Sequence, residues 1–293
     1  MQVLLPIDGS AASARAVEFL CASKRGGPGT VMPTLLHVHQ PRMKAVPDPA
    51  AEWQEMSDRE QAHAQALLAV HQRTLSEAGF TAHTLVRSGA PASTILEVAA
   101  ECGASLVVMG TRGAGMLGGF ALGSVALRVA PAAPCPVVLV KPDAKLPSIS
   151  REFTQVVAPL DGSAVSDSAV QRLVALRDFF GPLHVNLVHF EPALTLLESI
   201  MPPHDDVLRR WCGEQSRRAV AAAAHLLTEA GISHEVSLLA GDAAPSVAEL
   251  ALRQGADLIA MATHGTGALH HATFGSVALK TVVLASVPVL LTH

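Results

Sequence analysis

Hydrophobic residues fall along this chain in two rhythms. Apolar runs of strand length span Val3 to Ile7, Thr34 to Val38, His83 to Arg87, Ser105 to Met109 and Pro136 to Val140. Between them the spacing is helical, over Ala11 to Lys24, Ala51 to Ala78, Ala92 to Glu101 and Ser124 to Ala132, the second of these rich in Ala, Gln and Glu. Strands apolar on both faces and separated by helices predict a parallel sheet covered on both sides, built from right-handed βαβ units. The expected fold class is α/β: a doubly wound, Rossmann-like domain of about five parallel strands in the order 3-2-1-4-5.

The pattern then starts again. Val3-Leu4-Leu5-Pro6-Ile7-Asp8-Gly9-Ser10 returns as Val156-Val157-Ala158-Pro159-Leu160-Asp161-Gly162-Ser163, an offset of 153. Gly103-Ala104-Ser105-Leu106-Val107-Val108-Met109 returns as Gly255-Ala256-Asp257-Leu258-Ile259-Ala260-Met261 at an offset of 152, as does Gly123-Ser124-Val125-Ala126-Leu127 in Gly275-Ser276-Val277-Ala278-Leu279. Three blocks in one order and nearly one register make the chain two homologous halves in tandem. Lys141 to Ser150 has no apolar period and carries Pro142 and Pro147. A linker at 143–152 is therefore expected between a first domain at 1–142 and a second at 153–293.

Composition narrows the function classes. The 293 residues are 49% apolar and 16% charged, with 25 acidic against 21 basic side chains, so the chain has material for real cores but no polycationic character. Nucleic acid is not an expected partner. Cys21, Cys102, Cys135 and Cys212 show no CxxC or CxxH spacing, and no signal peptide precedes the first strand, so a reducing cytoplasm is the expected location. The most apolar stretch, Val282 to Leu291, is interrupted by Pro288 and falls well short of the roughly 20 residues a bilayer requires. No membrane span is expected.

Ligands of doubly wound sheets lie beyond the carboxyl ends of the strands, where the strand order reverses. Two features fall there: Asp8-Gly9-Ser10 after strand one, and Gly110-Thr111-Arg112-Gly113 after strand four, followed by Gly123-Ser124 at a helix start. Glycines let backbone amides approach an anion, and a helix start adds unpaired N–H groups, so the loop reads as a phosphate cradle. Ser124 serves either as a helix cap or as a hydroxyl donor to phosphate, and Asp-Gly-Ser is also an ordinary capped helix start. A carboxylate repels phosphate, so Asp8 is expected at the far end of a ligand, accepting from ribose hydroxyls or an adenine amine. Recurrence at matching strand ends in both halves favours the functional reading over simple capping.

On these residues the chain resembles the universal stress proteins. ATP-binding members carry a Gly-x2-Gly-x9-Gly-Ser/Thr loop, which Gly110, Gly113, Gly123 and Ser124 fit. The Pro-x-Asp-Gly-Ser start, Leu36-His37-Val38, Gly89-Ala90-Pro91 and Ala133-Pro134-Cys135-Pro136-Val137 are similar too, and the likeness covers almost the entire chain, twice. The resemblance implies that Asp8 holds ribose or adenine and that Pro6 and Val38 line an adenine pocket. It also implies that Met109, Gly110, Gly113, Gly123, Ser124 and Val125 surround the phosphates of ATP, or of AMP or ADP. Asp161, Gly265, Gly275 and Ser276 are the corresponding candidates in the second half, where Ala262 replaces the first glycine. A glycine ending strand four is expected either to take positive φ or to let a phosphate reach the backbone. Alanine harms both, so the second loop reads as degenerate.

Other signals weigh less. His37-x-His39 and His270-His271 invite a metal, but such neighbours seldom converge on one ion without carboxylate or cysteine support. His264, His270 and His271 fall in the second glycine loop, where a solvated histidine is the simpler reading, and Cys135 between two prolines reads as packed. No GxxxxGK[ST], HExxH or GxSxG motif is present, and no Lys or Arg lies between Gly113 and Gly123 to neutralise a transferring phosphoryl group. The expectation is an adenine-nucleotide-binding regulator of the stress response with a protein partner, not an efficient enzyme. The alternatives are slow ATP hydrolysis or autophosphorylation through Arg112 and Mg²⁺, and a scaffold or apolar-ligand carrier with a vestigial site. Pro136 to Val140 and Pro288 to Thr292 are expected at sheet edges, pairing with each other as an intramolecular imitation of a two-fold dimer. A homodimer is the other arrangement left open.

Overall fold

Strands buried on both faces need helices above and below them, and each half of the chain supplies its own. The computed structural model describes residues 1–23, 31–40, 50–113, 122–147, 154–191, 206–264 and 274–293, the side chains of 50–58, 206–217 and 240 excepted. The chain divides into two units, Met1–Ala144 and Lys145–His293.

In the first unit, strands β1 (Gln2–Pro6), β2 (Met32–His39), β3 (His83–Ser88), β4 (Leu106–Gly110) and β5 (Val137–Val140) pair in parallel. Their order is β3-β2-β1-β4-β5, the reversal falling between β1 and β4. Helices α1 (Ala11–Ala22), α2 (Ala50–Glu77), α3 (Pro91–Glu101) and α4 (Ser124–Val129) connect them. Right-handed crossovers running first one way and then the other put α1 and α2 on one face of the sheet and α3 and α4 on the opposite face. Leu4, Leu5, Leu35, Leu36, Leu106, Val107 and Val108 are 0% exposed between these layers. Each such leucine contributes roughly 2 kcal/mol by leaving water.

The second unit repeats the plan. It holds β6 (Thr154–Leu160), α5 (Ala164–Ala175), α6 (Arg177–Phe180), β7 (Leu183–Glu191), α7 (Asp206–Glu229), β8 (Ser233–Ala240), α8 (Ala243–Arg253), β9 (Leu258–Ala262), α9 (Ser276–Leu284) and β10 (Val289–Thr292). The strands are again parallel, in the order β8-β7-β6-β9-β10.

Helix α1 ends at Ala22, short of the expected Lys24, and two further boundaries that differ from the pattern-based reading lie at prolines. Strand β2 begins at Met32, two residues before the expected start at Thr34, because the Met32 N–H donates to the Met1 carbonyl at 2.9 Å. Pro33 is tolerated there: residues of its parity face β3, whose pairing begins only at Thr34 with His83. Helix α4 ends at Val129 with Ala130 as its C-cap, short of the expected Ala132, since Pro131 has no N–H to continue the helical hydrogen bonding.

The halves also differ inside their cores. Thr281 and Thr292 stand where the first half has Val129 and Val140, and all four are buried. Among the described residues neither threonine hydroxyl has a hydrogen-bond partner. A buried hydroxyl without a partner costs about 1–3 kcal/mol, and valine has nearly the same shape. Thr281→Val and Thr292→Val are each expected to stabilise the second unit by about 1–2 kcal/mol in urea unfolding. Lowered midpoints would mean that the hydroxyls hold structural water.

Candidate functional site

The turn between β1 and α1 depends on Gly9, whose φ of 80° lies in the left-handed region. It folds Asp8 and Ser10 onto each other, and the Ser10 N–H donates to Asp8 Oδ1 at 3.0 Å. Ser10 is also the N-cap of α1: its Oγ accepts from the Ser13 N–H at 3.1 Å and donates to the Arg112 carbonyl at 3.1 Å. One serine thereby starts the helix and fastens the β1 turn to the glycine loop after β4.

That loop is closed at its neck. The Gly123 N–H donates to the Thr111 carbonyl at 2.7 Å, while the Thr111 N–H extends the ladder to the Val140 carbonyl at 3.0 Å. A Cβ at Gly110 would lie 2.7 Å from the Ala12 backbone carbon, one at Gly113 would lie 2.8 Å from Asp8 Oδ2, and one at Gly123 would lie 3.2 Å from the Thr111 carbonyl oxygen. Protein neighbours thus account for all three glycines. This corrects the expected reason for Gly110: neither it nor Ala262 has positive φ, so Ala262 bears no left-handed strain. What Gly110 permits is the close approach of α1 to the end of β4.

Asp8, Ser10, Gly110, Gly113 and Gly123 are brought together, with Asp8, Gly113 and Ser124 exposed. Asp8 borders the first turn of the glycine loop and does not stand clear of it. Gly123 is the N-cap of α4 and no side chain caps it, so Ser124 occupies the first helical position and its hydroxyl is not spent on capping. Pro6 and Val38 lie half-buried toward the carboxyl ends of adjacent strands, Met109 is buried on β4, and Val125 is half-buried. Gly265, His270 and His271 lie outside the described residues. His37 Nδ1 approaches the Ile7 carbonyl at 2.8 Å, and His39 Nε2 pairs with Glu60 Oε2 at 2.7 Å. Among the described residues no group of three His, Cys, Asp or Glu side chains is arranged for a metal.

The second unit keeps the neck but not the fastening. The Gly275 N–H donates to the Thr263 carbonyl at 2.8 Å, as in the first unit. Ser163 caps α5, yet its hydroxyl donates to Asp161 Oδ1 at 2.5 Å, so its one proton is not offered to the loop. His264 replaces Arg112 and is buried, its Nδ1 3.0 Å from Thr263 Oγ1. Asp167 stands where the first half has Ala14, and its Oδ1 is buried with no hydrogen-bond partner among the described residues. Burial first, and repulsion from Asp161 second, raise its pKa. Sequence reasoning missed the Ser10 tie and Asp167; the paired Ser-x-x-Ser motifs and an acid opposite an alanine were the available signals.

The family model described as "Universal stress protein family" matches residues 1–141 and again 152–293. The chain belongs to the universal stress protein family, as a tandem of two copies. A universal stress protein from Thermus aquaticus, named for its place 3′ of a QAH/OAS sulfhydrylase, is 32% identical over 144 residues, 47% of this chain and 97% of its own length. The crystal structure of a universal stress protein from Archaeoglobus fulgidus DSM 4304 matches 100% of this chain and 96% of its own, at 21% identity and a TM-score of 0.69. A universal stress protein family protein from Arabidopsis thaliana, solved with AMP bound, matches 48% of this chain and 91% of its own, at 21% identity and a TM-score of 0.36. Among the described residues no helix is long and apolar enough to cross a membrane.

The raised pKa of Asp167 has a definite sign in stability. A carboxyl that gives up its proton less readily in the folded than in the unfolded chain destabilises the fold above its folded pKa. It has no such effect below its ordinary value of 3.8. Asp167→Ala should therefore raise the thermal midpoint of the second unit at pH 7, with a gain that shrinks as the pH falls toward 3. A gain independent of pH would show that the charge is not responsible.

Proposed function

We propose that this chain is an adenine-nucleotide-binding regulatory protein of the stress response, whose first unit holds ATP and whose occupancy stabilises or switches a surface read by a protein partner. Family membership supports the stress-response role. The nucleotide role rests on one arrangement in this chain: the Ser10 hydroxyl ties the Asp8 turn to the glycine loop at Arg112, beside the crevice where strand order reverses between β1 and β4. An adenine nucleotide suits that crevice. Pro6 and Val38 offer apolar contact to a base, and Asp8 offers acceptors to a hydroxyl or amine. Because Asp8 Oδ2 stands against Gly113, a hydroxyl-bearing ribose fits that edge of the loop better than a phosphate, which leaves the phosphates for the Ser124 side. Any Mg²⁺ would arrive with the triphosphate. The loop between Gly113 and Gly123 contains no Lys or Arg, which favours binding without efficient phosphoryl transfer.

The same reading makes the halves unequal. A ligand over the second loop would meet Asp161 and Asp167 without the serine tie, so the second unit is a weak or vestigial site. Titration calorimetry should find one tight ATP site per chain, which Gly113→Ala and Gly123→Ala largely remove and Gly275→Ala leaves nearly intact. Unfolding of each variant distinguishes lost binding from lost fold, since a Cβ at Gly113 also displaces Asp8. Two equal sites, or binding that survives loss of the first loop, would overturn the assignment.

Asp8→Ala should weaken ATP binding by about 1–3 kcal/mol, roughly 5- to 150-fold, through loss of the hydrogen-bond acceptor for the nucleoside. Binding of inorganic triphosphate should hardly change. An equal loss for both ligands would mean that Asp8 maintains the turn and does not read the nucleoside.

A further inference from the structure

The ladder between β1 and β2 continues to the Ile7 N–H, which donates to the Leu36 carbonyl at 2.7 Å. The Ile7 carbonyl belongs to the peptide that leads into Asp8, and His37 Nδ1 lies 2.8 Å from it. A carbonyl only accepts, so Nδ1 carries the proton. The second unit repeats the contact: His189 Nδ1 lies 2.9 Å from the Leu160 carbonyl, just before Asp161. Two turns whose serines make different bonds keep the same imidazole on the same peptide.

We propose that His37 is a positioning residue for the nucleotide site, its Nδ1–H fixing the Ile7–Asp8 peptide and through it the direction of the Asp8 carboxylate. This rests on the nucleotide reading above. Gly9, next in the chain, has the widest backbone freedom of any residue, so the turn does not hold itself rigid. Asp8 is fixed from one side by the Ser10 N–H on Oδ1 and from the other by the imidazole on the preceding carbonyl. Loss of the imidazole frees the peptide to rotate and swings the carboxylate away from the crevice. The neck between Thr111 and Gly123 takes no part in this contact, so the phosphate end keeps its geometry.

The test is calorimetry on the full chain with ATP and with inorganic triphosphate. His37→Ala should lose about tenfold in ATP affinity and almost nothing for triphosphate. His37→Asn, whose amide N–H reaches the place of Nδ1–H, should stay within about threefold of the parent. His189→Ala, the same deletion in the second unit, should leave ATP affinity unchanged and so control for general destabilisation. Nitrogen-15 spectra of the unaltered chain at neutral pH should show the His37 Nδ1 protonated. An unprotonated Nδ1, an asparagine variant as weak as the alanine variant, or equal loss of both ligands would overturn the proposal. A parent chain that binds no ATP would defeat the nucleotide reading alone, and the imidazole spectrum would still decide the anchor.

Discussion

A parallel sheet cannot leave either face in water, because its strands are apolar on both sides and each must return through a covering helix. Everything else in a unit follows from that burial. Helices on both faces require the strand order to run outward twice from the middle, and the reversal opens a crevice between the carboxyl ends of β1 and β4. The loops that rim the crevice lie beyond the last ladder bonds. They are held by side chains and by their own backbone: Ser10 to Arg112 across 102 residues, and Gly123 to Thr111.

The two units share this frame and diverge at its rim. Both keep the left-handed glycine after the aspartate, the capping serine, the closed neck and the imidazole on the preceding peptide. One of their differences is a hydroxyl proton, which goes to the Arg112 carbonyl in the first unit and to the Asp161 carboxylate in the second. The second arrangement lies beside Asp167, whose charge the fold disfavours. The contacts that both units keep suffice for the fold, and the partner of the serine proton is not among them.

Much of the frame was legible because strand and helix periods are strong and occur twice. Two of the misplaced ends, at Pro33 and Pro131, lay where a proline's effect depends on what stands beside it. The glycine loop was legible as a spacing, but its reasons were not. A sequence shows that Gly110 has no side chain; it does not show that α1 fills the vacated space, and of the two readings of Ala262, backbone strain or an obstacle to phosphate, the first fails because neither strand end has positive φ. Ser10 and His37 act through partners 102 and 30 residues away, contacts that appear only once the strands are in register. For His37 the signal was nevertheless present, since the repeat returns it as His189.

Glycines that serve the protein's own packing do not argue against a ligand at the same loop. A flexible loop of about ten residues costs roughly 2 kcal/mol in the length-dependent part of its closure entropy. If a nucleotide had to gather Gly113 and Gly123, that cost would be taken from its affinity. Here the Gly123 N–H already holds the Thr111 carbonyl and Gly113 already lies against Asp8, so closure is met during folding. The glycines bring the two ends of the loop, at Gly113 and Gly123, to contact distance by the protein's own bonds.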